Sequence, residues 1–187
     1  VSMGAVAASG GYYIAAEADE IWATPSTITG SIGVFAAFPT FEKLLQRVGI
    51  STDGVGTTSL AGSLRADRPL DPLLVEALNS GVEFAYNSFL QIVADGRDLS
   101  VEEVDPLAQG RVWSASDALQ AGLIDSVGSL EDAIAAAAAR ADMEDYAVYY
   151  VELPLSPRDL LLKQLANRVG RLHLRRESAA GTALSVV

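Results

Sequence analysis

Apolar and polar positions alternate in short bursts at the start of the chain and settle into helical spacing further on. Val1 to Val6 reads as a strand, and Ser9 to Ala16 has helical character after a turn. In "EADEIWATPST" a polar turn leads to a short strand around Glu20 to Ala23 and a loop containing Pro25. "TGSIGVF" brings glycines at 30 and 33, and "PTFEKLLQRVGI" predicts a helix with an apolar stripe of Phe41, Leu44, Leu45 and Val48, ended by Gly49. Residues 51–68 are small and polar, one strand at most and otherwise loop. From Pro69 to Asp95 the spacing predicts one long helix with a broad apolar face, including Leu73, Leu78, Val82, Phe84, Phe89 and Val93, closing at Gly96.

A shorter helix is expected over Ser100 to Gln109. Beyond it, Ser114 with Asp117 and Ser129 with Asp132 have the spacing of an N-cap and its N3 partner, so two capped helices flank a strand at Leu123 to Val127. Tyr146 to Val151 reads as a last strand. The final helix has Ser156 as N-cap and Pro157 at N1, with Leu160, Leu161, Leu165, Val169 and Leu172 on its docking face. This organisation predicts a domain over 1–152, a docking helix over 153–176 and a frayed tail over 177–187. Short strands alternating with helices make the fold class α/β. Because Val1 begins in a strand already under way, the sequence reads as a fragment.

With 187 residues, 50% of them hydrophobic, the chain can bury a core. A net charge of -11 opposes nonspecific contact with nucleic acid or anionic lipid. There is no cysteine for a disulfide or a thiolate metal site, and no apolar run long enough to span a bilayer, so an anchor would lie outside these residues.

The chemistry concentrates near the start. In "SMGAVAASGGYY" a serine, Ser9, stands where a strand turns into a helix, with Gly10 directly after it. The Gly10 amide then points from a helix N-terminus toward anything the serine oxygen attacks, which is half an oxyanion hole. From spacing alone, "ASGG" is equally well a tight, closely packed turn. The nucleophile elbow of α/β-hydrolases requires glycine two residues before the serine, and position 7 is Ala. The one histidine, His173, falls in the basic tail and reads as a surface residue. The two lysines, Lys43 and Lys163, fall among polar neighbours on amphipathic helices and read as solvated. The residues therefore present a serine without a visible base.

The stretch "VSMGAVAASGGYYIAAEADEIWATPSTITGSIGVF" resembles the nucleophile segment of the signal peptide peptidase A (protease IV) family of Ser-Lys peptidases, and the similarity continues through "STDGVGTTSLAGSL" and "IVADGRDLSVEEVDPLAQGRVWSASDALQAGLIDSVGSLEDAI". The resemblance implies a ClpP/crotonase-like fold of repeated β-β-α units, here incomplete and with a C-terminal helical appendage. It implies that Ser9 is the acylated nucleophile, that the Gly10 amide is one oxyanion donor, and that the Ser31 hydroxyl in "TGSIG" orients the lysine amine. The second oxyanion donor belongs to a glycine-rich segment upstream of Val1. Short members carry the lysine in a region that corresponds to Ser51 to Leu64, which contains none, so the chain resembles the C-terminal half of the long members, whose N-terminal half supplies it.

Cleavage of remnant signal peptides or other apolar peptides follows as an expectation, without cofactor or metal. The apolar residues of "YYIAA" and "GVFAAF" are candidates for the groove or for ordinary core. The resemblance also implies partnership with the N-terminal half, a homo-oligomer that is a tetramer in long members, and membrane association with the catalytic domain extracytoplasmic. Two other readings compete: a noncatalytic assembly half, and a crotonase-like acyl-CoA enzyme that would need acid/base carboxylates beside an oxyanion hole.

Overall fold

The computed structural model describes residues 1–58 and 60–151. Expectations for the helix over 153–176, the tail, Lys163 and His173 fall outside the described residues. The chain divides into Val1–Glu144 and a second unit that begins at Asp145.

The first apolar run is not one strand. It splits into β1 (Ser2–Met3) and β2 (Val6–Ala8), which enter different sheets. The pair repeats as β3 (Trp22–Ala23) and β4 (Ile28–Gly30): β1 lies parallel to β3, and β2 lies parallel to β4. The first sheet has the order β1-β3-β6, with β6 (Ser126–Val127) also parallel. The second has the order β2-β4-β5, with β5 (Val112–Ser114) antiparallel. The hydroxyls of the buried Thr27 and Thr29 are satisfied by carbonyls of the first segment: they donate to Gly4 O, between β1 and β2, and to Ala7 O of β2, both at 2.8 Å.

The helices are α1 (Gly10–Tyr13), α2 (Glu42–Arg47), α3 (Pro72–Arg97), α4 (Val101–Val104), α5 (Ala115–Gln120) and α6 (Leu130–Arg140). The α2 stop is as expected. Gly49 takes φ 73°, its amide donates to Gln46 O and that of Ile50 to Leu45 O, the two bonds of a Schellman ending. Its apolar stripe, however, faces away from the core, with Phe41, Leu44 and Val48 exposed.

Helix α3 starts later and ends later than the spacing predicts. Asp71 caps it by accepting from the Leu73 amide, Pro72 occupies N1, and the stop is Asp98 at φ 52°. Gly96 lies inside the helix because a Cβ there would stand 2.1 Å from Ala16 O; it is a contact glycine and not a terminator. Only the second half of α3 enters the core, through Phe89, Leu90, Val93 and Ala94, while Leu73 and Phe84 stay exposed.

The Ser100–Gln109 helix divides into α4 and a 3₁₀ turn over Asp105–Leu107, where Pro106 has no amide to continue the α pattern. The caps at Ser114 and Ser129 form, the latter as a full capping box with Asp132. Residues 146–151 carry no regular structure and are exposed, so alternation there does not signal a strand.

The core gathers Tyr12, Ala15, Ala16, Ile21 and Ile32 with the α3 residues, Val104, Ala108, Ala118, Leu123 and Ile124. Burial of each large aliphatic side chain stabilises by about 1.5–3 kcal/mol. At its edge the Arg97 guanidinium meets the Asp125 carboxylate through two bonds of 3.0 and 2.7 Å and donates to Gly122 O at 3.0 Å, while Asp125 also accepts from the Ile21 amide at 2.7 Å. Arg97 thus fastens the end of α3 to both the β3 and β6 sides of the sheet.

Candidate active site

Strand β2 stops at Ala8, and the chain reverses into α1 through Ser9, which takes φ 52° and ψ -116°. For a residue with a Cβ this conformation costs on the order of 1–3 kcal/mol and is sustained only when the surroundings fix it. Several contacts do so. The Ser9 amide donates to Gly30 O at 2.8 Å, its carbonyl accepts from Tyr13 N at 2.9 Å, and α1 is anchored where the buried Tyr12 hydroxyl donates to Leu123 O at 2.8 Å. Burial pushes the Tyr12 phenol far above its ordinary pKa, so it remains a donor. Gly11 lies over Ala7, where an added Cβ would stand at an ordinary contact distance of 3.8 Å from the Ala7 Cβ. The serine is exposed, and the Gly10 amide follows at the first helical position, where an N–H has no intrahelical partner.

The strained serine turn thus forms here without the glycine two residues earlier that the hydrolase elbow needs.

Ser31 arrives at the same place through β4. Ala8 pairs with Gly30, so Ser9 and Ser31 are the next residues of two parallel neighbouring strands. Ser31 is also left-handed, at φ 49°, and its amide donates to Arg111 O at 2.7 Å. Two glycines make that turn possible. At Gly30, φ is 73° and an added Cβ would stand 2.4 Å from the Trp113 ring. At Gly33 the Cβ would stand 2.7 Å from the Gly110 amide nitrogen.

Ser9 and Ser31 line one cavity of about 660 Å³. Gly33, Val34 and Phe35 continue its wall from the β4 side, Val82, Glu83 and Tyr86 come from α3, and Asp105, Gln109 and Gly110 from the turn after α4. Of the apolar stretches considered as groove, "GVFAAF" contributes Gly33, Val34 and Phe35, whereas none of "YYIAA" lines the cavity. Tyr12, Ala15 and Ala16 are core.

Sequence reasoning did not single out the α3 and Asp105 walls. The Tyr86 hydroxyl donates to Asp105 Oδ1 at 2.6 Å, the Gln109 amide donates to the Tyr86 oxygen at 3.3 Å, and Gln109 Nε2 donates to Asp105 Oδ2 at 3.2 Å. Partial burial, then the bond to Asp105, raises the Tyr86 pKa. The one hint in the sequence is a tyrosine in place of an aliphatic residue one turn after Val82.

No lysine reaches this cavity among the described residues. Lys43 lines a separate hollow on α2, with Thr40, Phe41 and Arg47. Among the described residues no three His, Cys, Asp or Glu side chains group as metal ligands, and no helix is long and apolar enough to cross a membrane.

Residues 1–144 match peptidase family S49. The chain is 51% identical over 134 residues to Protease 4 of Haemophilus influenzae, a match that covers 72% of this chain and 22% of that protein. It is 38% identical over 169 residues to Protease 4 of Salmonella typhi, covering 90% of this chain and 27% of the relative. The chloroplastic serine protease SPPA of Arabidopsis thaliana is 42% identical over 143 residues, 76% of this chain and 21% of its own length. The chain therefore spans about a quarter of the length of these relatives.

Proposed function

Because the chain belongs to peptidase family S49, we propose that it carries the nucleophile and part of the substrate wall of a serine peptidase that cleaves apolar peptides, remnant signal peptides among them. The observation that carries this reading is the strained, exposed Ser9 at the β2–α1 turn, opening with Ser31 onto one cavity. Catalysis proceeds through an acyl-enzyme. A neutral lysine removes the Ser9 proton as Oγ attacks the peptide carbonyl, and the oxyanion rests on the Gly10 amide and a second donor. The lysinium then protonates the leaving amine, and water, deprotonated by the same lysine, releases the acid. Ser31 orients the amine.

In this reading the lysine and the second oxyanion donor come from the N-terminal half of the longer polypeptide. Support comes from the cavity walls, which hold no lysine among the described residues, and from the small share of the Protease 4 relatives that the chain spans. The paired strands β1–β3 and β2–β4 support successive β-β-α units of the ClpP/crotonase kind. A tetrameric, membrane-associated assembly with its catalytic side extracytoplasmic belongs to the same reading and rests on the resemblance to the long members.

The test is hydrolysis of a fluorogenic leucine-containing peptide by the full-length protein, by its Ser9→Ala variant and by this chain alone. Activity in the full-length protein that falls by at least about a thousandfold in Ser9→Ala is expected, with the chain alone inactive. That no lysine lines the cavity among the described residues favours one other reading, a noncatalytic assembly half. It predicts no Ser9-dependent turnover in any of the three.

A further inference from the structure

The walls of the Ser9 cavity are not uniformly apolar. Val34, Phe35 and Val82 provide an aliphatic and aromatic surface, while Glu83 and Asp105 bring two carboxylates to the same space. No Lys, Arg or His lines it among the described residues. The nearest cation in sequence, Arg111, is held over the Trp113 ring at 5.4 Å, and Lys43 and Arg47 line the α2 hollow. Asp105 is fixed by its bonds from Tyr86 and Gln109, one to each oxygen. A carboxylate has about four acceptor positions, so both oxygens retain capacity for another donor.

A pocket of this composition matches a side chain with an apolar stem and a cationic tip, the form of lysine and arginine. The chain's net charge of -11 favours the same sign of ligand at longer range. The acidic wall does not suit the catalytic base, because a carboxylate beside a lysine stabilises its ammonium form and the mechanism needs the free amine.

We propose that the cavity beside Ser9 is a subsite for a basic residue of the substrate, so that the peptides preferred here are apolar with one lysine or arginine at a fixed distance from the scissile bond. This rests on the peptidase reading above and adds the substrate class. Val34, Phe35 and Val82 hold the methylene stem, and Glu83 and Asp105 receive the cationic head.

The experiment uses the full-length protein and internally quenched peptides of alanine and leucine, in which lysine or its uncharged near-isostere norleucine is placed at each position in turn. At one position lysine is expected to exceed norleucine in kcat/KM by about 5-fold, the upper end for a partly solvated ion pair, with the ratio shrinking as salt is added. Glu83→Gln, at an exposed position, is expected to lower the ratio, Glu83→Lys to invert it, and Asp105→Asn to lower it while keeping an acceptor for Tyr86. Lysine no better than norleucine at every position, or a ratio unchanged in all three variants, overturns the proposal. So does a shift of the acid limb of the pH–rate profile with the ratio unchanged, which would assign the carboxylates to the base. Absence of Ser9-dependent hydrolysis of even the norleucine peptides refutes the peptidase reading itself, whereas their hydrolysis without a lysine preference refutes only the subsite.

Discussion

Gly81 and Gly96 lie on the same helix and meet opposite surroundings, which makes α3 a measuring device for close packing. An added Cβ at Gly81 meets nothing within 4 Å, so Gly81→Ala gains only helix propensity, about 0.8–1.0 kcal/mol. At Gly96 the same gain is opposed by a Cβ 2.1 Å from Ala16 O, 2.7 Å from Ala16 C and 3.0 Å from Glu17 Cα, all backbone atoms. Neither side can withdraw freely. Ala16 is fully buried, and the adjoining Arg97 is held by three hydrogen bonds. Overpacking of this kind costs about 1–3 kcal/mol, and rigid backbone on both sides puts the case at the upper end. Gly96→Ala is therefore expected to lose roughly 1–2 kcal/mol net, a fall in Tm of roughly 3–6 °C, while Gly81→Ala raises Tm by roughly 2–4 °C. Urea titration followed by Trp22 and Trp113 fluorescence, with a thermal melt beside it, measures both. A Gly96→Ala protein as stable as Gly81→Ala would refute the close approach of α3 to the Ala16–Glu17 turn.

Two further substitutions probe the clasp and the site. Arg97→Met keeps the stem but leaves Asp125 without its partner. With the Arg97 side chain only 9% exposed and Asp125 32%, a loss of about 2–3 kcal/mol is expected in urea at pH 7, less than for a fully buried pair. Burial disfavours the Asp125 charge, yet hydrogen bonds from Arg97 and the Ile21 amide, with the Arg97 charge, outweigh it and hold the carboxyl below its usual range. The stability this contributes is present above the unfolded value of ~3.9 and disappears as pH falls through the depressed folded value. The acid arm of the urea-midpoint profile should flatten in Arg97→Met, and an unchanged arm would exclude this pair as its source. Gly33→Ala pushes a Cβ against the Gly110 backbone at 2.7–2.9 Å and, on the peptidase reading, should lower kcat of the full-length protein on an apolar peptide; unaltered kcat would show that catalysis does not depend on that contact.

What could be read in the sequence was local. The caps at Ser114 and Ser129, the Gly49 stop and the bulk of α3 each declare themselves within one or two turns, since the partners are three or four residues apart. Strands of two or three residues give no alternation to detect, so β5 has no signal in the sequence and β1 and β2 read as one. Gly96 misled for the opposite reason: its meaning lies in Ala16, eighty residues earlier, and in a helix a contact glycine and a stop glycine look alike. At the site, Ser9 and Gly10 stood out by their own neighbourhood. Ser31 came through resemblance alone, and the Tyr86–Asp105–Gln109 wall through neither, because it exists only once α3 and the turn after α4 are brought together.

The parallel pairing of β2 with β4 has a consequence for how this region tolerates change in length. Ser9 and Ser31 are set by a ladder whose rungs are backbone bonds, about 4.8 Å between strands, and not by the residues that join them. An insertion at the exposed Asp19 turn lengthens the connection and leaves the rungs in place. A deletion of one residue inside Val6–Ala8 or Ile28–Gly30 turns every following side chain to the other face, and one of the two hydroxyls leaves the cavity altogether. Between the serines, then, length can change at the exposed Asp19 turn, whereas the three residues of β2 and the three of β4 cannot change in number.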